Sequence, residues 1–459
     1  MVFSSQIFLF IFLPCTLLFY FICPSKLKNM LLMLASLFFY AWGEPKYIFL
    51  ILTLILANFV LGILIESSVR KLVRKCFLLL TLVIDFGSLL YYKYFNFFIE
   101  NIDNLLHLSI PLRDIVLPLG ISFFIFQIVS YIVDVYWGNV KAQRNILNLA
   151  LYISLFPQLI AGPIVRYIDV EKQITDRKHS LNKFYDGCCL FMTGFSKKVL
   201  IADQVASLAD LAFASQQLTF SLAWVGVIAY SIQIYFDFSG YSDMARGLGK
   251  MFGFDFMENF NYPYISKTIR EFWKRWHISL STWFKDYVYI PLGGSRCKKL
   301  RAYFNLIVVF LFTGFWHGAS WNFIVWGLWY VIFLLMERIF LRQCLEKIPS
   351  IISRMYALLV IVIGWVFFRA ADLHQAMEYL KVMFSFNFVH STELGLALTS
   401  EKVFFLTMGI VFSMPIVNWI KKKVSINETV LDGTLLLVFM VAILYMVGSG
   451  FSPFLYFRF

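Results

Sequence analysis

The sequence predicts an all-α, polytopic membrane protein, and three observations carry that reading. Hydrophobic residues make up 60% of the 459-residue chain and charged ones only 15%, with a mean hydropathy of +0.75, which leaves too little polar surface to cover a soluble globule. Uncharged apolar runs recur from the first residues to the last, and nothing between them is long enough to fold as a soluble module. Most Lys and Arg, whose excess gives a net charge of +13, flank these runs, as topology signals do. Membrane lipids are therefore expected partners and nucleic acid is not.

The apolar runs fall near Ser5 to Ile22, Leu27 to Trp42, Tyr47 to Ile65, Phe77 to Tyr94, Val116 to Trp137, Leu147 to Pro163 and Cys188 to Ala202. Others follow at Phe220 to Phe238, Phe304 to Phe315, Ala319 to Met336, Met355 to Phe368, Val403 to Trp419 and Val430 to Gly448. With the N-terminus outside, successive crossings gather Lys26/Lys28, Arg70/Lys71/Arg74/Lys75, Lys141/Arg144, the segment Arg246 to Arg301, Arg338/Arg342/Arg354 and Lys421 to Lys423 on one side. That basic excess marks the side as cytoplasmic. The arrangement requires Leu147 to Pro163, with its Phe156-Pro157 and Gly162-Pro163 pairs, to dip in and return. It predicts about eleven or twelve transmembrane helices plus re-entrant and interfacial ones.

The chain reads as a single transmembrane domain over 1–459, with N-terminal helices in 1–145, a core in 146–340 and C-terminal helices in 341–459. Its first run lacks a basic leader and a small-residue cleavage site, so it reads as a retained span. The seven cysteines show no C-x-x-C spacing and lie mostly in or beside apolar runs, so neither disulfides nor a metal site are expected. No repeat of 20 to 50 residues is evident.

Within the core, His317 sits in an uncharged stretch from Phe304 to Met336, in the sequence Thr313-Gly-Phe-Trp-His-Gly-Ala-Ser-Trp-Asn322. An imidazole among hydrocarbon is costly unless it bonds a partner or works on something, so such groups are functional candidates. At about 1.5 Å per residue one helix over 304–336 would reach roughly 50 Å, against a hydrocarbon core of ~30 Å. Two segments are therefore expected to meet near His317, with the ring at the break. Gly314 and Gly318 flank it, and glycine weakens a helix and admits close approach. On a continuous helix Thr313, His317 and Ser320 would share a face, a polar stripe suited to a lined channel.

A second segment, Tyr262 to Arg301, is rich in aromatic and basic residues. A helical wheel aligns Phe272, Trp276, Leu280 and Trp283 on one face and Arg270, Lys274, Ser281 and Lys285 on another. This predicts an amphipathic interfacial helix, with Trp at headgroup depth. His277 falls on the apolar side, where a histidine is more often a bonded core residue than a working one. Arg270, Lys274, Arg275 and Lys285 serve as topology signals, and could also hold an anionic ligand. Gly247-x-Gly249-x-x-x-Gly253 misses the dinucleotide spacing, and there is no G-x-S-x-G, phosphate loop or metal cluster.

Trp273-Lys-Arg-Trp-His-Ile-Ser-Leu-Ser-Thr-Trp283, Tyr287-Val-Tyr-Ile-Pro-Leu-Gly-Gly294 and Gly314-Phe-Trp-His-Gly-Ala-Ser-Trp321 resemble the signature core of the membrane-bound O-acyltransferases. Tyr235-Phe-Asp-Phe-Ser-Gly-Tyr-Ser-Asp243, Leu155-Phe-Pro-Gln-Leu-Ile-Ala-Gly-Pro163 and the terminal Phe454-Leu-Tyr-Phe-Arg-Phe459 extend the likeness over nearly the whole chain. It is greatest to the bacterial branch that O-acetylates alginate or peptidoglycan and transfers D-alanine to teichoic acids. The resemblance implies that His317 is the active-site histidine and His277 the second polar site position. It also implies a tunnel joining the two membrane faces, within the bacterial cytoplasmic (inner) membrane.

The expected reaction is acyl transfer, with acetyl-CoA or an acyl-carrier thioester as donor substrate, no permanently bound cofactor and no metal. The expected acceptor is an envelope polysaccharide, or a periplasmic SGNH-type acetyltransferase or esterase that completes the transfer. A neutral His317 would act as general base, the ordinary imidazole pKa of ~6.5 suiting that role. His277 would orient the donor or stabilise the oxyanion, and Arg270, Lys274, Arg275 and Lys285 would attract the donor's phosphates. Transfer of D-alanine to teichoic acid is the rival within the enzyme class. Outside it stand a polysaccharide-precursor transporter, for which Asp85, Asp134, Asp237 and Glu337 could serve ion coupling, and a membrane anchor for secreted acyltransferases.

Overall fold

A computed structural model describes residues 1–389, 391–424, 427–449 and 454–455. Every regular element among them is a helix. The chain falls into two compact units, Met1–Phe191 with Met244–Met257, and Met192–Asp243 with Glu258–Phe459. Tyr456 to Phe459 of the terminal motif lie outside the described residues.

Among the described residues six helices are long and apolar enough to cross a membrane, and a bent pair, Ser400–Phe412 with Ile416–Lys423, makes a seventh. Phe8–Ile22 and Ile121–Trp137 are apolar but shorter. This is a polytopic membrane protein with fewer full-length spans than the apolar runs suggest, because several runs are not one straight helix. Leu147 to Pro163 breaks at Leu155 into Ile146–Ser154 and the single turn Phe156–Leu159, as its Phe-Pro pair leads one to expect. Cys188 to Ala202 widens at Lys197–Ala202 into a π-helical turn, and Leu27 to Trp42 falls almost wholly in Lys28–Gly43, a helix of only 16 residues.

The apolar-flanked acids are each held by a local partner. In the first unit Asp85, fully buried, accepts from the Asn58 amide at 2.8 Å, and Asp134 accepts from Asn139 at 2.9 Å. In the second, Asp237 pairs with the buried Lys198 ammonium at 2.8 Å and takes the backbone N–H of Leu455 at 2.7 Å. Glu337 accepts the N–H groups of Ile269 at 2.6 Å and Arg270 at 3.0 Å, so its carboxylate caps the start of the helix Ile269–Arg275.

In the second unit Lys299–His317 and Trp321–Met336 form a helical hairpin. Their backbones meet because the crossing residues are glycines. A Cβ on Gly314 would lie 2.2 Å from the Phe323 carbonyl oxygen, and one on Gly327 would lie 2.5 Å from that of Phe310. Ser350–Arg369 packs on the hairpin, with the Trp329 indole donating to the Val360 carbonyl at 2.9 Å.

Candidate functional site

His317 is the last residue of the helix Lys299–His317. The chain extends at Gly318 (φ −170°), and Ser320 then caps the next helix by accepting the N–H of Asn322. The ring therefore stands at the break, as the length of the apolar run predicts. Two details differ from the sequence reading. Gly314 does not interrupt the helix but lets the hairpin close, and Ser320 lies past the helix end. The expected stripe thus shortens to Thr313 and His317, and the Thr313 hydroxyl donates back to Val309 at 2.8 Å.

His317 keeps 6% of its surface exposed. Trp316 stands 4.9 Å from it by ring centroids, Trp326 and Phe368 each 5.0 Å, and Phe323 6.3 Å. A Cβ on Gly318 would fall 2.2 Å from the Phe323 ring, so that glycine is needed for the ring to approach the turn.

His277 reaches the same place by a different route. The amphipathic segment is not one helix but two seven-residue pieces, Ile269–Arg275 and Ile278–Phe284. Between them His277 adopts a left-handed backbone, φ 45° and ψ 56°, a conformation that costs a non-glycine residue roughly 1–2 kcal/mol. The surroundings impose it. Ile278 N–H donates to the Asn259 carbonyl at 2.9 Å, while the Ser279 N–H and hydroxyl both donate to the Asn259 side-chain oxygen at 3.0 and 2.9 Å. Asn261 N–H bonds the Arg275 carbonyl at 2.9 Å on the other side of the break.

His277 is 3% exposed, and its Nδ1 is buried with no hydrogen bond from another described residue. Burial pushes its pKa down to about 3, because a buried charge loses its hydration. The imidazole is therefore neutral at physiological pH. It stands 6.0 Å from the Trp316 ring, so one indole touches both imidazoles.

The wheel places the faces correctly. Phe272, Trp276, Leu280 and Trp283 are all buried. Inside the unit Trp276 stacks on Phe272 at 5.5 Å and meets Trp365 in a tilted contact at 4.8 Å. Of the four basic residues, Arg270 and Lys274 line a cavity of about 1060 Å³. Arg275 is spent on Glu271 and the Asn261 carbonyl, and Lys285 is exposed beside Asp286 at 3.7 Å.

The cavity also gathers Lys267, together with Arg338 and Arg342, two residues that the sequence marks only as topology signals. Five cations face three carboxylates there, Glu271, Glu337 and Glu346. Arg338 and Arg342 stand four apart just after the apolar run, and that spacing was the available signal of a shared face. Asn259 gave no signal, since nothing in its neighbours marks it as a brace. Among the described residues no group of His, Cys, Asp and Glu is arranged to hold a metal ion.

The family model of the membrane-bound O-acyltransferases matches residues 139–368, which contain both histidines. The chain is 40% identical to the probable alginate O-acetylase AlgI of Azotobacter vinelandii, over the full length of both proteins. It is 38% identical to the peptidoglycan O-acetyltransferase of Helicobacter pylori, over 84% of this chain and 80% of that one. The teichoic acid D-alanyltransferase of Bacillus subtilis is 30% identical over 56% of this chain and 68% of its own. A whole-length match, the family model and an all-helical membrane fold with paired buried histidines agree: this chain is an enzyme of the membrane-bound O-acyltransferase family.

Proposed function

We propose that the enzyme carries an acetyl group from acetyl-CoA, or from a carrier-bound thioester, across the bacterial cytoplasmic membrane for O-acetylation of an envelope polysaccharide such as an alginate-like polymer or peptidoglycan. The acceptor is the polysaccharide itself, or a secreted SGNH-type acetyltransferase that passes the group on. The observation that carries the reading is the placing of two buried imidazoles on one indole, His317 at a helix break and His277 held neutral in a strained backbone.

A thioester is already activated, so the chain must make a hydroxyl nucleophilic and hold it against the carbonyl. Neutral His317 takes the hydroxyl proton as the oxygen bonds to the acyl carbon. The C–S bond then breaks, and the thiolate leaves with the proton that the imidazolium returns. His277, neutral and buried beside Trp316, orients the donor. The basic cavity with Lys267, Arg270, Lys274 and Arg338 favours phosphate groups, and CoA or a phosphopantetheine arm carries them. Acetyl transfer is favoured over D-alanyl transfer because the acetylase relative matches along the whole chain and the D-alanyltransferase along about half.

The test is transfer of labelled acetyl by the purified chain in vesicles. His317→Ala should lose a factor of ~10² to 10⁴ while keeping its thermal unfolding. Near-normal transfer by a folded His317→Ala protein would remove the histidine from the chemistry, and labelling that needs no thioester donor would remove the enzyme reading of the site.

A further inference from the structure

The first unit carries an apolar groove that its own side chains leave open. It runs between the helices Phe8–Ile22 and Lys28–Gly43 and has a volume of about 650 Å³. Apart from Thr16, every residue lining it is apolar or a thiol. Two features of the first helix keep its neighbour from closing on it: Phe8–Phe12 forms a π-helical turn, and Pro14 stands two residues on. Both disturb the regular ridges on which helices pack. Along the groove small side chains, Cys15, Thr16 and Ala35, then alternate with large ones, Phe19, Leu34 and Phe38, each more than half exposed.

Dimensions and charge identify an occupant. From Leu27 to Trp42 the groove follows helix for about 22 Å, against a depth of ~15 Å for one leaflet of hydrocarbon. Its mean section is therefore about 30 Å², which admits an extended acyl chain but not a helix of ~10 Å diameter. At the Cys23 and Leu27 end, on the side that the basic excess marks as cytoplasmic, stand Lys26 and Lys28. Lys26 is exposed, Lys28 lies over the Tyr20 and Phe21 rings at 4.8 and 5.6 Å, and neither forms an ion pair among the described residues. Bilayer and groove are equally apolar, so packing on several sides holds a chain there, and charge selects the headgroup. A lysine at the membrane surface favours an anionic over a neutral headgroup about fivefold. We propose that this groove binds one anionic phospholipid, with an acyl chain along the two helices and its phosphate at Lys26 and Lys28.

The test is native mass spectrometry of the full chain taken from vesicles of equal phosphatidylglycerol and phosphatidylethanolamine. Wild type should keep one phosphatidylglycerol per chain, favoured ~25-fold over phosphatidylethanolamine. The double variant Lys26→Ser/Lys28→Ser should still keep one lipid, with that preference gone. Ala35→Trp fills the groove and should keep none. A measurement on wild type covers the case in which Ala35→Trp does not fold. Phosphatidylglycerol added to the chain in detergent should slow maleimide labelling of Cys15, in the groove, about fivefold or more, and leave the exposed Cys76, outside it, unchanged. Equal retention of the two lipids by wild type, or a Cys15 that the lipid does not protect, overturns the proposal. So does protection by glycerol 3-phosphate as good as that by the lipid, which would leave a free phosphate at the lysines and no chain in the groove. A chain that keeps no lipid but forms a dimer, broken by Ala35→Trp, would assign the groove to a second copy instead.

Discussion

His317 and His277 touch the same indole, but the chain delivers them on opposite principles. His317 ends a 19-residue apolar helix in regular geometry, and its position follows from periodicity and from the glycine contact of the hairpin. His277 sits in a left-handed kink between two helices too short to be stable alone. Its position depends on the hydrogen bonds that Ile278 and Ser279 donate to Asn259, on a preceding segment of the chain. A regular element carries a functional group with few outside contacts; a strained one needs a brace, and fails when the brace does.

The hairpin is where that contrast breaks most sharply. Gly314→Leu would place a Cβ 2.2 Å from the Phe323 carbonyl oxygen, a backbone atom that cannot turn aside. The two helices must part, at about 3 kcal/mol or more. The expected result is a lower unfolding temperature in detergent together with lost transfer. A Gly314→Leu protein as stable as wild type would show that the hairpin is not closed by glycine contact.

Protonation distinguishes the two sites next. The folded pKa of His277 lies near 3, below the ~6.5 of an unfolded chain. The unfolded state therefore binds the proton first, so this contribution to stability is complete above pH ~6.5 and is lost as pH falls toward 3. His277→Asn, a residue that tolerates left-handed backbone, should flatten the decline between pH 6 and pH 4 by about 1.4 kcal/mol per unit. Equal slopes for the variant and wild type would mean that water reaches the ring.

The same contrast explains what the sequence made legible. The junction at His317 could be read because a single helix over the apolar run is too long for the bilayer and glycine stands at the break. The kink at His277 could not: Trp276-His277 contains neither glycine nor proline, and apolar residues continue at helical spacing through it. There tertiary hydrogen bonds to Asn259 and from Asn261 override the local pattern. The wheel still placed Phe272 and Leu280 on the buried side, because both half-helices present the same face. Arg338 and Arg342 read as topology signals, and only the return of the chain brings them beside Arg270 and Lys274.

Two smaller effects sharpen the account of the brace. Asn259→Ala removes the acceptor of both Ser279 bonds and leaves that buried N–H unpaired, at about 1–3 kcal/mol. Transfer should fall as far as in the His277 variant, and the double variant should show less than the sum of the two losses. Full additivity would mean that Asn259 stabilises the segment without positioning the ring. The finest test is the backbone itself. Both His277→Ala and His277→Gly delete the imidazole, but only glycine adopts φ 45° without strain. The glycine variant should therefore unfold at a higher temperature than the alanine one, by about 1 kcal/mol. If alanine is the more stable, the lower conformational entropy that it brings to the unfolded chain outweighs the strain, and the kink is held more cheaply than its geometry implies.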